Sequence, residues 1–197
     1  MSPAPARTSR AAVVAAAREI LEVGGLEAVT MAAVAERVGV KAPSLYKRFT
    51  DRTGLLAAVA TDVALDLGRH MTVAAAGSGA DPARRLEDLA VAYRAFAVAN
   101  ARSMALIFTN VAPGAEPSAE SQAAAAGPLL DVVREIVGDA RALAAARVVT
   151  AYAFGFTTME TAGAFRFGGD VAEAYRLGVV MLVAGLAEAG RPDVSGG

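Results

Sequence analysis

Apolar and polar positions along the chain recur with a period near 3.6, and β-branched alternation of period two is scarce. Val13, Ala17, Ile20 and Leu21 fall at i, i+4, i+7 and i+8, which predicts an amphipathic helix over about 9–23. Gly24-Gly25 stops it, because glycine readily takes the left-handed conformation past a helix end. Thr30 is a good N-cap for a second helix running to about 38, with Val34 and Val38 one turn apart and Gly39 ending it. A third short helix is predicted over 42–49. Asp51 then caps a longer fourth one carrying Leu55, Val59, Val63 and Leu67. The stretch 74–80, AAAGSGA, is small and flexible in composition and marks the best domain boundary. Asp81-Pro82 restarts a helix that should reach about 100, followed by another through 108. A loop at 113–117 precedes a helical region over 118–137, where Gly127-Pro128 is the place for a bend. Two long helices complete the pattern: 139–167, closed by Gly168-Gly169, and 170–189, closed by Gly190 and Pro192. The predicted fold is all-α, with a domain over 7–67 and a larger helical one over 78–190.

Composition narrows the chemistry. The chain has 197 residues, long enough to bury a sizeable core, and 55% of them are hydrophobic. Alanine fills 49 positions, so much of that percentage expresses helix propensity. The uncharged stretches 103–115, 148–159 and 177–187 all fall short of the roughly 18–20 apolar residues of a spanning helix. Arg18 and Glu19 interrupt any signal-peptide core after Val13 and Val14. A cytoplasmic chain with no membrane partner is expected. There is no cysteine, and His70 is the single histidine, which excludes disulfides, thiol nucleophiles and multi-histidine metal cages. No Ser/His/Asp set, acidic metal cluster or glycine-rich phosphate loop is present, and the adjacent pair Glu87-Asp88 reads as a solvated face. No enzyme activity, cofactor or metal is expected.

The segment 30–49, TMAAVAERVGVKAPSLYKRF, has the layout of two short helices about a glycine-centred turn, a helix-turn-helix. Ala35 and Gly39 let the helices approach, and Val34, Val38, Leu45 and Phe49 supply a shared core. With Leu45 and Phe49 inward, Lys41, Ser44, Lys47 and Arg48 share the opposite face. Cations and a hydroxyl there suit phosphates and base edges. Lys41 and Lys47 are the chain's only lysines. The formal net charge of −1 argues against a nucleic-acid partner until the chain is divided. Residues 1–60 carry eight basic and five acidic groups, a net +3, and residues 61–197 carry eleven basic and fifteen acidic, a net −4.

The string GLEAVTMAAVAERVGVKAPSLYKRFTDRTGLL, over 25–56, resembles the DNA-binding domain of the TetR family of bacterial transcriptional regulators. The shared form is a threonine-capped helix, a GV turn, an LY.(H/R)F recognition helix, a short basic linker and paired leucines. The resemblance implies that Thr30 contacts phosphate and that Lys41, Ala42, Ser44 and Lys47 lie nearest base edges or adjacent phosphates. It implies also that Tyr46 gives its hydroxyl to a phosphate, with packing as the alternative. Arg48 stands between a phosphate contact and solvated surface. Arg52 occupies the place where the family often has a phosphate-binding lysine. Lys41 replaces the usual serine or threonine, exchanging a helix cap for an extra electrostatic contact. Arg7 and Arg10 read as a basic tail, with reach into a groove as the alternative.

Residues 81–190 resemble, less specifically, a C-terminal regulatory domain found in part of that family. AYRAFAVAN at 92–100, MALIF at 104–108 and GFTTMETAGAF at 155–165 carry the likeness. Related domains have a Trp…His-Gly pattern. Here Thr150 and Phe154 take the Trp and His places and only Gly155 remains, so no role transfers through them. Gly178 and Gly185 flank Met181 and Leu182 on the last helix, and Gly155 and Gly163 thin the one before it. That spacing offers a four-helix homodimer interface, with close packing inside one chain as the alternative. Candidates for an effector pocket are Tyr93, Phe96, Met104, Phe108, Tyr152, Phe156 and Met159, each of which also suits a plain core role. Glu160 is either a polar anchor for a ligand, an arginine's partner or a dimer-surface residue. His70 is read as exposed or hydrogen-bonded, with a place at an interdomain hinge as the alternative. Together these features predict a ligand-responsive regulator, a repressor that binds a palindromic operator on double-stranded DNA as a homodimer and is released by a mostly apolar small molecule. The alternatives are an enzyme or small-molecule carrier on a helical bundle, and a regulator that acts as an activator or has no small-molecule ligand.

Overall fold

A computed structural model of the chain describes residues 9–77, 79–109 and 112–191. Among the described residues there are nine α-helices and no strand, the all-α fold that the 3.6-residue period predicts. They are α1 (Arg10–Gly24), α2 (Met31–Val38), α3 (Ala42–Leu45), α4 (Arg52–Gly77), α5 (Pro82–Ala99), α6 (Ala101–Phe108), α7 (Ala119–Val137), α8 (Asp139–Thr161) and α9 (Val171–Ala189), with a 3₁₀ turn at Leu26–Ala28. The described residues divide into two compact units. One comprises those within Met1–Asp66 and Asn100–Gln122, the other those within Leu67–Ala99 and Ala123–Gly197.

In the first unit, local chemistry sets the helix ends. The Ser9 hydroxyl accepts the amide of Ala12, and Thr30 Oγ1 that of Ala33, both at 3.1 Å. Gly25 (φ 79°) and Gly39 (φ 76°) close α1 and α2 in a backbone conformation that other residues rarely adopt. Asp51 Oδ1 accepts the Gly54 amide at 2.8 Å and starts α4. Val13, Ala17, Leu21, Val34, Leu45, Phe49, Leu55 and Val59 bury themselves together as the core. Arg18 on α1 reaches Asp62 (3.2 Å) and Asp66 (3.0 Å) of α4 and the side-chain Oδ1 of Asn100 (2.8 Å). Glu22 accepts the amides of Arg102 and Ser103 at the start of α6, at 3.3 and 2.8 Å. The Arg102 guanidinium in return donates to the Glu22 and Val23 carbonyls at the end of α1, at 2.6 and 2.5 Å. Each helix therefore caps the other.

In the second unit α5 packs against α8 and α9. Tyr175 of α9 is wholly buried and donates to the Ala90 carbonyl at 2.9 Å. Tyr152 of α8 donates to the Tyr175 carbonyl at 2.8 Å. A Cβ on Gly68 would lie 2.7 Å from the carbonyl oxygen of Ala124. Pro128 inside α7 has no amide to offer that carbonyl, so α4 and α7 cross closely at a backbone position their sequences leave bare.

Three expected boundaries differ. α3 stops at Leu45 rather than 49: the chain tightens through Arg48 N–H to Leu45 O (2.8 Å) to seat Phe49 in the core. α4 runs to Gly77, through most of the expected linker, as a run of alanines permits. α8 stops at Thr161 rather than 167, because Gly163 takes φ 65° and the amides of 162–164 fold back on the last carbonyls. Residues 100–122, counted above with the C-terminal domain, join the first compact unit. The expectation that no stretch reaches spanning length also needs amendment. By length and composition α8, whose most apolar 18-residue window has a mean hydropathy of 1.2, is long and apolar enough to cross a membrane. Uncharged runs hide this because Arg141 and Arg147 divide it. Its Ala142, Ala145, Ala146, Val149, Ala153 and Thr157 are buried, as in a core helix.

Candidate DNA-binding face

The helix-turn-helix presents a cluster of exposed polar side chains above its apolar floor. Thr30, Lys41, Ser44, Lys47 and Arg48 are exposed, Ala42 is half-buried, and Tyr46 is 54% exposed. Because α3 ends early, Lys47 and Arg48 stand on the turn after it and not on the helix itself. The turn still brings them beside Ser44: these three, with Val13, Val40 and Leu45, line an open cleft of about 410 Å³. Lys41 is the N-cap of α3 and makes no side-chain cap bond. Among the described residues no carboxylate pairs with Lys41, Lys47 or Arg48.

The other described basic groups of the N-terminal part are engaged within the protein. Arg10, read above as part of a tail, is the first residue of α1 and lies over the Phe49 ring, 4.8 Å from its centroid. Arg7 falls outside the described residues. Arg37 pairs with Glu19 at 2.9 Å, and Arg18 holds Asp62 and Asp66. Arg52 donates to the carbonyls of Val29 (2.6 Å) and Leu26 (2.5 Å). The Arg18, Glu22 and Arg102 contacts are invisible to sequence reasoning, since partners 44 to 82 positions away leave no local signal.

The residues expected to form an effector pocket are distributed over both compact units. Met104, buried, and Phe108, 39% exposed, lie in the first unit. Tyr93 and Phe96 are buried in the second unit, and Phe96 lies 5.0 Å from the exposed His70 ring. Tyr152 and Phe156 cluster with Tyr175, while Met159 is 49% exposed. Glu160 is held by both forks of Arg94, so it is an arginine's partner, and that hydrogen bonding pushes the Arg94 guanidinium further up in pKa. Burial pushes the Tyr93 and Tyr175 phenols well above the usual range. A cavity of about 30 Å³ is lined by Met71, Leu86, Leu89, Ala90, Tyr93, Leu129, Val149, Thr150 and Ala153.

Of the positions expected at a dimer interface, Gly178 and Gly163 have reasons inside the chain. A Cβ at Gly178 would overlap the Tyr152 hydroxyl, and Gly163 lies past α8 with positive φ. Gly155 and Gly185 face open space. Met181 is 66% exposed and Leu182 half-buried.

Two comparisons bear on this face. Residues 13–59 match the family described as bacterial regulatory proteins, tetR family, and residues 86–182 match the one described as tetracyclin repressor-like, C-terminal domain. No curated protein matches. Among solved structures, a protein of unknown function from Rhodococcus sp. RHA1 is 29% identical with a TM-score of 0.78, over 90% of this chain and 95% of that one. BioQ of Mycobacterium smegmatis is 28% identical with a TM-score of 0.70, over 92% and 99%. BioQ with its natural double-stranded DNA operator is 28% identical with a TM-score of 0.64, over 91% and 98%.

Proposed function

The chain belongs to the TetR family of DNA-binding transcriptional regulators, and from that premise we propose that it is a repressor. It binds a palindromic operator as a homodimer in the bacterial cytoplasm and is released by a small, mostly apolar effector. The observation that carries the DNA-binding part is the contrast among its cations. Arg10, Arg18, Arg37 and Arg52 are engaged inside the protein, whereas Lys41, Lys47 and Arg48 stand exposed beside Ser44 without a carboxylate partner among the described residues. Such a cluster neutralises phosphates and releases counterions. In this reading 7–67 is the DNA-binding domain and 78–190 the effector-binding and dimerisation domain. Thr30, Tyr46 and Ala42 complete the contact surface.

Three features support the rest. Exposed apolar residues stand on α9 (Leu177, Val180, Met181) and α8 (Val148, Met159), a surface suited to a second copy. One recognition helix reads too few base pairs, and two copies place theirs about 34–36 Å apart on successive turns of duplex. The apolar cavity beside Tyr93 and Thr150 is a starting point for an effector, although at about 30 Å³ it must widen about tenfold to reach the ~300 Å³ of a ligand pocket. α4 and α7 each contain residues of both compact units, which supplies the covalent route for that widening to alter DNA affinity. A coupling of about 1–3 kcal/mol suffices.

The test is selection of duplexes from a random 30-base-pair library (~30 covers two half-sites), followed by mobility shifts across a salt series. Binding should weaken steeply with salt, and Lys47→Ala should flatten the log–log slope by about 0.9, the share of a single neutralised phosphate. Failure to select any duplex, or binding indifferent to salt and to Lys47→Ala, overturns the proposal.

A further inference from the structure

Resting on the DNA-binding reading above, we infer that Arg52 is a positioning residue: it touches no phosphate and holds the α1–α2 connection so that Thr30 and the start of α2 meet the DNA backbone. Arg52 is the first residue of α4, where the positive end of the helix dipole repels a cation. Its guanidinium answers a need on the neighbouring turn. Val29 is wholly buried, and its carbonyl lies just ahead of the α2 N-cap. The amide that would continue the helix back to that carbonyl, Ala33 N–H, is donated to Thr30 Oγ1. A buried carbonyl left so must find another donor. Arg52 Nε supplies it at 2.6 Å, while Nη2 takes the Leu26 carbonyl at 2.5 Å.

Leu26 and Val29 bracket the 3₁₀ turn, closed by Val29 N–H to Leu26 O at 3.2 Å. One guanidinium thus spans the whole connection between Gly25 and Thr30. The rigid fork of arginine reaches both carbonyls at once, which the single ammonium of lysine does not. Replacing the family's phosphate-binding lysine by arginine is therefore a change of task at this position. Thr30, one residue after the braced carbonyl, inherits a fixed backbone.

The experiment uses the full chain and a duplex selected by the wild type from a random library. Affinities of Arg52→Lys and Arg52→Gln are measured across a salt series, in the wild-type and Thr30→Ala backgrounds, at a temperature where circular dichroism shows each variant folded. Both substitutions should weaken binding about tenfold with the wild-type salt slope retained, since the number of neutralised phosphates stays the same. In the Thr30→Ala background the loss should shrink to about threefold or less, because both residues act on the same helix start. An Arg52→Lys protein with wild-type affinity, beside an Arg52→Gln protein whose slope falls by about 0.9, makes Arg52 a phosphate ligand and overturns the inference. Unchanged affinity in both variants, or a loss undiminished by Thr30→Ala, overturns it as well. A wild-type protein that selects no duplex is a different failure, that of the DNA-binding reading, and removes the inference along with it.

Discussion

A glycine in mid-helix costs about 0.5–1 kcal/mol relative to alanine, so Gly178 within α9 requires a cause. Spacing alone leaves it between a subunit interface and close packing inside one chain. Its neighbour within the chain is Tyr152, whose hydroxyl lies where the Cβ would be. Tyr152 stacks on Tyr175 with ring centroids 5.5 Å apart and donates to the Tyr175 carbonyl, fixing α8 to α9. Gly178→Ala should therefore destabilise the fold by about 1–3 kcal/mol through overpacking, read from urea denaturation. In a Tyr152→Ala background the same substitution should become neutral or slightly stabilising, since only helix propensity is left to act. Equal destabilisation in both backgrounds would show that the tyrosine is not the cause. Glu160 teaches a similar lesson: a carboxylate in an apolar helix signals a polar partner, and here that partner is Arg94.

Among the elements, the starts of helices are legible in the sequence because capping is local chemistry. Thr30, Asp51, Asp81 and Asp170 each accept a backbone amide within three residues, and a sequence displays such pairs directly. The end of α8 is not legible, because Gly163, Gly168 and Gly169 all have positive φ and nothing local says which of them ends the helix. The end of α3 depends on Phe49 entering a core built by other helices. The place of residues 100–122 is hidden for the same reason: Glu22 and Arg102 are 80 positions apart. Their reciprocal capping carries its own expectation. Glu22→Ala leaves two amides of α6 without their acceptor and should cost about 1 kcal/mol, as removal of an N-cap does. Hydrogen exchange should show faster opening of α6 than of α5. The Glu22→Ala and Arg102→Ala effects should be non-additive by about 0.5 kcal/mol or more, because each residue serves the same junction. Strict additivity would mean that the two caps act independently.

At the scale of the whole molecule, a net charge of −1 conceals a division of labour. The exposure of the candidate DNA face is legible: Lys41, Ser44, Lys47 and Arg48 are exposed, although the turn after α3, and not a longer helix, carries Lys47 and Arg48. Arg52 is not, because its type and position give no hint of the two carbonyls it braces. The alanine-rich C-terminal helices are harder still, since alanine makes every face of a helix look alike to a hydrophobic pattern. Only the exposures single out one side of α9. Leu177, Val180 and Met181 are 61%, 52% and 66% exposed, spaced at three and four residues on a helix whose opposite side buries Tyr175, Val179 and Val183. If that side meets its copy in a second chain, a charge placed on it must be desolvated without a partner on association. Met181→Asp is exposed in one chain and should leave the monomer's fold intact. In sedimentation velocity it should shift the protein from dimer to monomer. Operator affinity should fall by about 10²-fold or more with it, because each half-site is then bound separately and the avidity of linked sites disappears. A Met181→Asp protein that still sediments as a dimer would move the subunit interface away from this face. One that is monomeric but binds the operator as tightly as the wild type would show that a single copy suffices for recognition.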